Sequence, residues 1–247
     1  SLWNNRGDFK TLLHVYDWQN SEWTLTGDSI LITMGSASRT GYFDMSKNGK
    51  IVALSLTGNE SNLGYTKIFE LKDKKWSQIG DSIPGIKEGD LSGAVLSLSK
   101  DGKKLLITSP LNSETIKRSG KSRVFAWDGT AWLQEGTDIN CDDYGVELGK
   151  SAEISDDGTR IVLGSRVGRY INLYSYNEAK LNWDTLILKH KKEVVPKSNF
   201  GFAVSLSEDG TAVAASATFA DPSGSVCIYD ISKLSGVQQL TKEKLFT

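Results

Sequence analysis

Tryptophan returns at nearly constant spacing along this chain, at Trp23, Trp76, Trp132 and Trp183, with intervals of 53, 56 and 51 residues. A turn glycine keeps step at Gly49, Gly102, Gly158 and Gly210. An aromatic closing an apolar run recurs at Tyr16, Phe69, Phe125, Tyr174 and Tyr229. Three residue classes sharing a period of about fifty residues mark a repeat array, in which each unit buries its apolar faces against its neighbours. Such a period constrains the fold strongly and identifies no substrate.

Each unit reads as four short strands. The first alternates apolar and small polar residues, as a half-buried strand does, in Thr40 to Ser46, Ser92 to Ser99, Leu148 to Ser155 and Phe200 to Ser207. A turn follows at Asn48-Gly49, Asp101-Gly102, Asp157-Gly158 and Asp209-Gly210, pairs that predict a type I′ hairpin. The second strand, Ile51-Val52-Ala53-Leu54 in its first copy, suits burial on both faces. The third carries the recurring aromatic and the fourth the tryptophan. Gly27, Gly80 and Gly136 sit four residues after the tryptophan, with Ile30, Ile83 and Ile139 three further. The last copy lacks that glycine and has His190 at the isoleucine position. No segment sustains helical spacing, and Lys233 to Phe246 reads as a degenerate fourth strand.

Four strands in about fifty residues, repeated with close turns, predict an all-β protein: a β-propeller of four-stranded blades, about four to five of them in this chain. The units are expected at 1–30 (partial), 40–83, 92–139, 147–190 and 200–247, within one domain. The tryptophans of the series are expected to fill the gap between adjacent blades near the outer edge, each burying roughly 150–250 Å². Trp3, Trp18 and Trp127 stand outside the series and are freer to be exposed. Both ends carry a copy of the third strand, so they do not complete one shared blade. Either the chain belongs to a larger ring, or irregular segments finish the leading pair. It opens on Ser1 inside a repeat, without an initiator methionine or signal peptide, which suggests a piece of something longer.

Gly201 to Gly210, followed by Ala212 to Ser216 and Gly224 to Tyr229, resembles a propeller blade of the FG-GAP or integrin-like class. WD-repeat blades share the Val-x-x-Ser-x-Asp-Gly hairpin seen at Val204 to Gly210, and the Trp-x-x-x-Gly-x-x-Ile stretch is similar to long propeller proteins of marine protists and bacteria. The resemblance implies a propeller that is mostly non-catalytic, often on cell surfaces or in extracellular assemblies. The histidine and Trp-Asp marks of WD repeats are missing as a set, Trp127-Asp128 occurring once. The integrin-like calcium loop is missing too, because Asp142-Asp143 and Asp156-Asp157 are adjacent pairs rather than alternating oxygen ligands. No metal and no cofactor are expected.

Composition narrows the partners. A net charge of −1 supplies no basic excess for nucleic acid, and the Lys189 to Lys192 run around His190 reads as a solvated loop. No apolar stretch has the length of a membrane helix. Cys141 lies in a polar loop and Cys227 in an apolar run, so a disulfide between them is not the default. Asn59-Glu60-Ser61 is a glycosylation sequon in an expected surface loop. Arg6-Gly7-Asp8 lies in a poorly patterned terminus and carries little weight as an adhesion signal.

Catalytic residues are expected to be none. The two histidines, His14 in a strand and His190 at a strand end, offer no triad, no zinc spacing occurs, and no nucleotide-binding glycine loop is present. Asp28, Asp81 and Asp138 sit at or beside equivalent unit positions, and a repeated aspartate suits turn-holding better than bond cleavage. The loops after strands two and four are long and varied and share one face, whereas those after strands one and three are short. Variable loops on a rigid scaffold are where contacts concentrate. The expected function is therefore a non-catalytic scaffold, not an enzyme, contacting other proteins through that face in an extracellular or cell-surface assembly. A carbohydrate-binding propeller is the alternative. A glycan-active hydrolase, the third reading, requires a non-repeated cluster of carboxylates.

Overall fold

The structure is a computed structural model that describes residues 9–34, 39–57, 63–190, 199–218, 224–234 and 244–246. Every regular element among them is a strand. A leading hairpin pairs β1 (Phe9–Leu13) with β4 (Ile30–Met34), and β2 (Tyr16–Gln19) with β3 (Glu22–Leu25). The first complete blade holds β5 (Arg39–Met45), β6 (Ile51–Thr57), β7 (Tyr65–Lys72) and β8 (Lys75–Gln78), with β9 (Ile83–Pro84) also on β7. The second repeats this with β10 (Leu96–Leu98), β11 (Lys104–Ser109), β12 (Lys121–Trp127), β13 (Trp132–Gln134) and β14 (Ile139–Asn140). The third is β15 (Ser151–Ile154), β16 (Arg160–Ser165), β17 (Tyr170–Asn177) and β18 (Asn182–His190). The fourth is β19 (Asn199–Leu206), β20 (Ala212–Thr218), β21 (Ser225–Asp230) and β22 (Lys244–Phe246). All pairings are antiparallel, and apart from β1 with β4, β7 with β9 and β12 with β14 they join sequential strands. The leading hairpin supplies strands three and four of an incomplete blade. In the tail, β22 pairs with β21, and residues 235–243 lie outside the described residues.

The turn glycines act differently from expectation. Gly49 N–H donates to Ser46 O at 2.9 Å, and Ser46 N–H to Ile51 O at 2.9 Å. Positive φ falls on the glycine (+68° at Gly49, +72° at Gly102) and not on Asn48 or Asp101. This is a type I turn closed by a left-handed glycine bulge; type I′ needs positive φ at both central residues. The serine accounts for it. Ser46 Oγ donates to Asn48 Oδ1 (2.8 Å) and accepts from Ile51 N–H (2.9 Å). Ser99, Ser155 and Ser207 do the same around Asp101, Asp157 and Asp209. Two-residue loops with positive φ at both positions occur instead between strands three and four, at Asn20-Ser21 and Asp73-Lys74.

Apolar burial is divided among four seams. Ile30 and Ile32 of the leading hairpin meet Val52, Leu54, Phe69 and Trp76 of the first blade. Ile51, Ala53 and Ile68 meet Leu105, Ile107, Phe125 and Trp132 of the second. Successive β6 residues therefore serve opposite seams, as the unbroken apolar run requires. Leu106 and Val124 pack with Leu163, Tyr174 and Trp183. Leu173 and Ile187 pack with Phe200, Val213 and Tyr229.

Three tryptophans lock these seams. Trp76, Trp132 and Trp183 are buried, and each indole N–H donates to a carbonyl of the preceding unit: Thr26 at 3.0 Å, Ile79 at 3.2 Å and Glu135 at 3.0 Å. Each acceptor lies three residues after that unit's own tryptophan. Trp23 departs from the expectation. It is 68% exposed, because no preceding unit covers it among the described residues. Trp18 is exposed as expected, while Trp127 is half-buried with its ring centroid 5.4 Å from that of Trp132. Trp3 lies outside the described residues.

The first strands of successive blades are also tied together. Asp44, Ser97 and Glu153 occupy one unit position, two residues before the turn serine. They accept the backbone N–H of Leu98 (2.6 Å), Ile154 (3.1 Å) and Leu206 (2.8 Å) in the next blade. The following turns converge: Lys47 Nζ reaches Asp156 at 2.9 Å and also Glu208, joining the first blade to the third and fourth.

Candidate functional site

The seam between the first and second blades holds a cleft of about 300 Å³. Its polar lining comes from Asp81 and Ser82, which lead into β9, from Arg123 on β12, and from Thr130 in the turn before β13; Phe125 and Trp132 line it as well. Alternation along β12 places Lys121, Arg123 and Phe125 on the same face of the strand. The Arg123 guanidinium donates to Pro84 O at 2.7 Å and lies 5.2 Å from the centre of the Phe125 ring. Burial disfavours its charged form, while Asp138 and Asp90 act in the opposite sense and favour it.

A charged network extends from this cleft into the long loops. Lys121 Nζ pairs with Asp138 at 2.6 Å and with Glu114. Burial lowers the lysine's proton affinity, but the two carboxylates more than offset this and raise its pKa. Burial pushes the Asp138 carboxyl upward, and Lys121 and Gln134 outweigh it, holding it below the usual carboxylate range. Asp90 is buried and accepts from Asn112 Nδ2 at 2.6 Å and Lys87 N–H at 3.2 Å. Desolvation dominates there and raises its pKa. Arg118 pairs with Glu147 in the adjoining loop. The two basic residues of β12 do not recur: the positions of Lys121 and Arg123 hold Tyr65 and Lys67 in the first blade, and Tyr170 and Asn172 in the third. The cluster was not evident in the sequence; its one visible sign was two basic residues on an otherwise neutral third strand.

The three related aspartates diverge. Asp28 Oδ1 accepts the backbone N–H of Trp76 at 2.8 Å, as a structural aspartate should. Asp138 is held by Lys121 and by Gln134 at 2.9 Å. Asp81 faces the cleft and has no hydrogen-bond partner among the described residues. His14 is exposed between β1 and β2, 3.1 Å from Ser29 Oγ. His190 ends β18 opposite Ile171. Cys141 and Cys227 are both buried and free, and Cys141 Sγ lies 3.2 Å from Tyr170 Oη. Asp142-Asp143 lies in the loop before β15, and Asp156-Asp157 in the turn after it. Among the described residues no group of three or more His, Cys, Asp or Glu could hold a metal ion, and no helix is long and apolar enough to cross a membrane. Arg6-Gly7-Asp8, Asn59 and the lysines at 191 and 192 lie outside the described residues.

No protein family and no curated protein matches the chain in sequence. Solved structures do match in fold. A functionally unknown protein from Desulfotomaculum acetoxidans superposes with a TM-score of 0.62 at 14% identity, covering 94% of this chain and 62% of its own length. A "putative 6-phosphogluconolactonase" from Bacteroides fragilis gives 0.58 at 13%, covering 99% and 72%. The periplasmic gluconolactonase of Pseudomonas aeruginosa gives 0.56 at 14%, covering 96% and 66%. No FG-GAP, integrin-like or WD-repeat family is shown by these matches. The expectation of a non-catalytic scaffold, and with it the reading that the chain is not an enzyme, is overturned. Structures sharing this architecture carry the names of lactone hydrolases, so the fold gives no ground for excluding catalysis. The scaffold, extracellular and cell-surface expectations find no support. With its all-antiparallel blades and indole-locked seams, the chain is an all-β protein of the β-propeller fold.

Proposed function

We propose that this propeller is a hydrolase acting on a small cyclic sugar ester or a glycan, with its site in the cleft between the first and second blades. The observation that carries the reading is Asp81, a carboxylate released from the structural duty of Asp28 and sharing its cleft with Arg123, whose position holds other residues in the remaining blades. The names of the Bacteroides and Pseudomonas proteins supply the reaction class. The latter's periplasmic name makes a compartment outside the cytoplasm part of the proposal.

In this scheme Asp81 takes a proton from water, and the water oxygen attacks the ester carbonyl carbon. The ring C–O bond breaks, and the departing oxygen leaves as an alcohol carrying the proton. The hydroxyl of Ser82 donates to the carbonyl oxygen as it gains charge. A positioned base of this kind contributes roughly 10²–10⁴-fold. Acid release from glucono-δ-lactone and its 6-phosphate, together with cleavage of aryl glycosides, tests the reading. Turnover of one class that falls about 100-fold in Asp81→Asn, with an unchanged melting temperature, is expected. Absence of turnover on every one of these substrates overturns it.

A further inference from the structure

We propose that Arg123 anchors an anion subsite in this cleft, built for a carboxylate or phosphate group on a small polar ligand. The subsite deepens the hydrolase reading by naming an acidic substrate class, yet binding there does not require turnover.

Arg123 is 8% exposed and carries five N–H donors. Among the described residues only one protein acceptor is found for them, the carbonyl of Pro84. Among the described residues no carboxylate comes within ion-pair distance of the guanidinium. The nearby acids are engaged elsewhere: Asp138 by Lys121 and Gln134, Asp90 by Asn112 and Lys87. Arg160 shows how a structural arginine in these seams is satisfied, donating to Gly210 O at 2.7 Å and Ile231 O at 3.0 Å. A buried cation without a direct counterion is costly. A planar guanidinium with free parallel donors suits two oxygens of one anion. The position is not repeated: Lys67, Asn172 and Cys227 stand there in the other blades. Asp81 shares the cleft and disfavours an anion at its own end, so the acidic group sits against Arg123 and the hydroxyl-bearing part against Asp81.

Titration calorimetry on the intact chain, with inorganic phosphate, gluconate and glucose as probes, tests this. Phosphate and gluconate should bind at least about tenfold more tightly than glucose and weaken with added salt. The stronger of the two identifies the acid group. Arg123→Met should remove this preference, and Arg123→Lys should keep part of it, since an ammonium retains charge but loses the fork. Should Arg123→Met fail to fold, the guanidinium ¹⁵N resonances of the unaltered protein give the same reading by shifting on phosphate addition. Equal affinity for glucose and phosphate, undiminished phosphate binding in Arg123→Met, or stationary resonances overturn the subsite. Anion binding without hydrolysis supports the subsite and removes the hydrolase reading alone.

Discussion

A Cβ added to Gly80 would lie 3.0 Å from Cδ1 of Trp132, an indole that belongs to the next blade. The same holds for Gly27 with Trp76 (3.0 Å from Nε1) and Gly136 with Trp183 (2.9 Å from Cδ1). Each glycine is thus the seat of the following unit's tryptophan, and the adjacent carbonyl accepts its indole N–H.

The four tryptophans should therefore differ sharply in value. Trp76→Ala empties a seam and is expected to cost about 3–5 kcal/mol. Trp23→Ala removes an exposed ring and is expected to stay within about 1 kcal/mol. Denaturant unfolding of both variants checks the contrast, and similar losses would refute the seam argument.

Two glycine substitutions separate backbone strain from collision. Gly49→Ala meets nothing within 4 Å and has only the left-handed φ of +68° to accommodate, at about 1–2 kcal/mol. Gly80→Ala carries a comparable φ of +67° and also presses on the rings of Trp127 and Trp132, adding about 1–3 kcal/mol. Equal destabilisation of the two would show that the seat tolerates a methyl group.

Ser97→Ala leaves the N–H of Ile154 without its acceptor at the junction of the second and third blades. The expected loss is about 1–3 kcal/mol, accompanied by faster hydrogen exchange at the Ile154 amide. Unchanged exchange there would mean that the bond does not hold the inner strands together.

Asp209 is a pH probe of the turns. The hydroxyl of Ser207, followed by the N–H and hydroxyl of Thr211, pulls its carboxyl down to about 2. Its folded pKa thus lies below the usual value of about 3.9. The ionised carboxylate stabilises the turn above that value, and the contribution disappears as pH falls through about 2. Carboxyl ¹³C titration should report the depressed midpoint. In Asp209→Asn this contribution should vanish while the turn remains, because Asn48 serves the same role in the first blade.

Much of the fold was legible in the sequence because Trp, Gly and the apolar alternation each carry a fixed geometric duty. The type I′ assignment failed because Asn48-Gly49 was read as a two-residue loop, whereas Ser46 pairs across to Ile51 and lengthens it. The Trp76-to-Gly80 spacing was visible, but the two residues serve opposite seams, which only packing reveals. Asp44, Ser97 and Glu153 went unnoticed because three different side chains perform one task. The candidate site was hidden for a related reason. Arg123 and Asp81 lie forty-two positions apart and look ordinary until the seam brings them to one cleft.

The indole-on-glycine contact gives the array a direction. At the fourth seam Ile187 stands where a glycine would be, so the lock is absent on that side. Trp23, at the opposite end, retains the projecting half of the lock. A further unit on the Trp23 flank repeats the contact when it offers a carbonyl followed by a residue without a side chain, as Thr26-Gly27 does for Trp76.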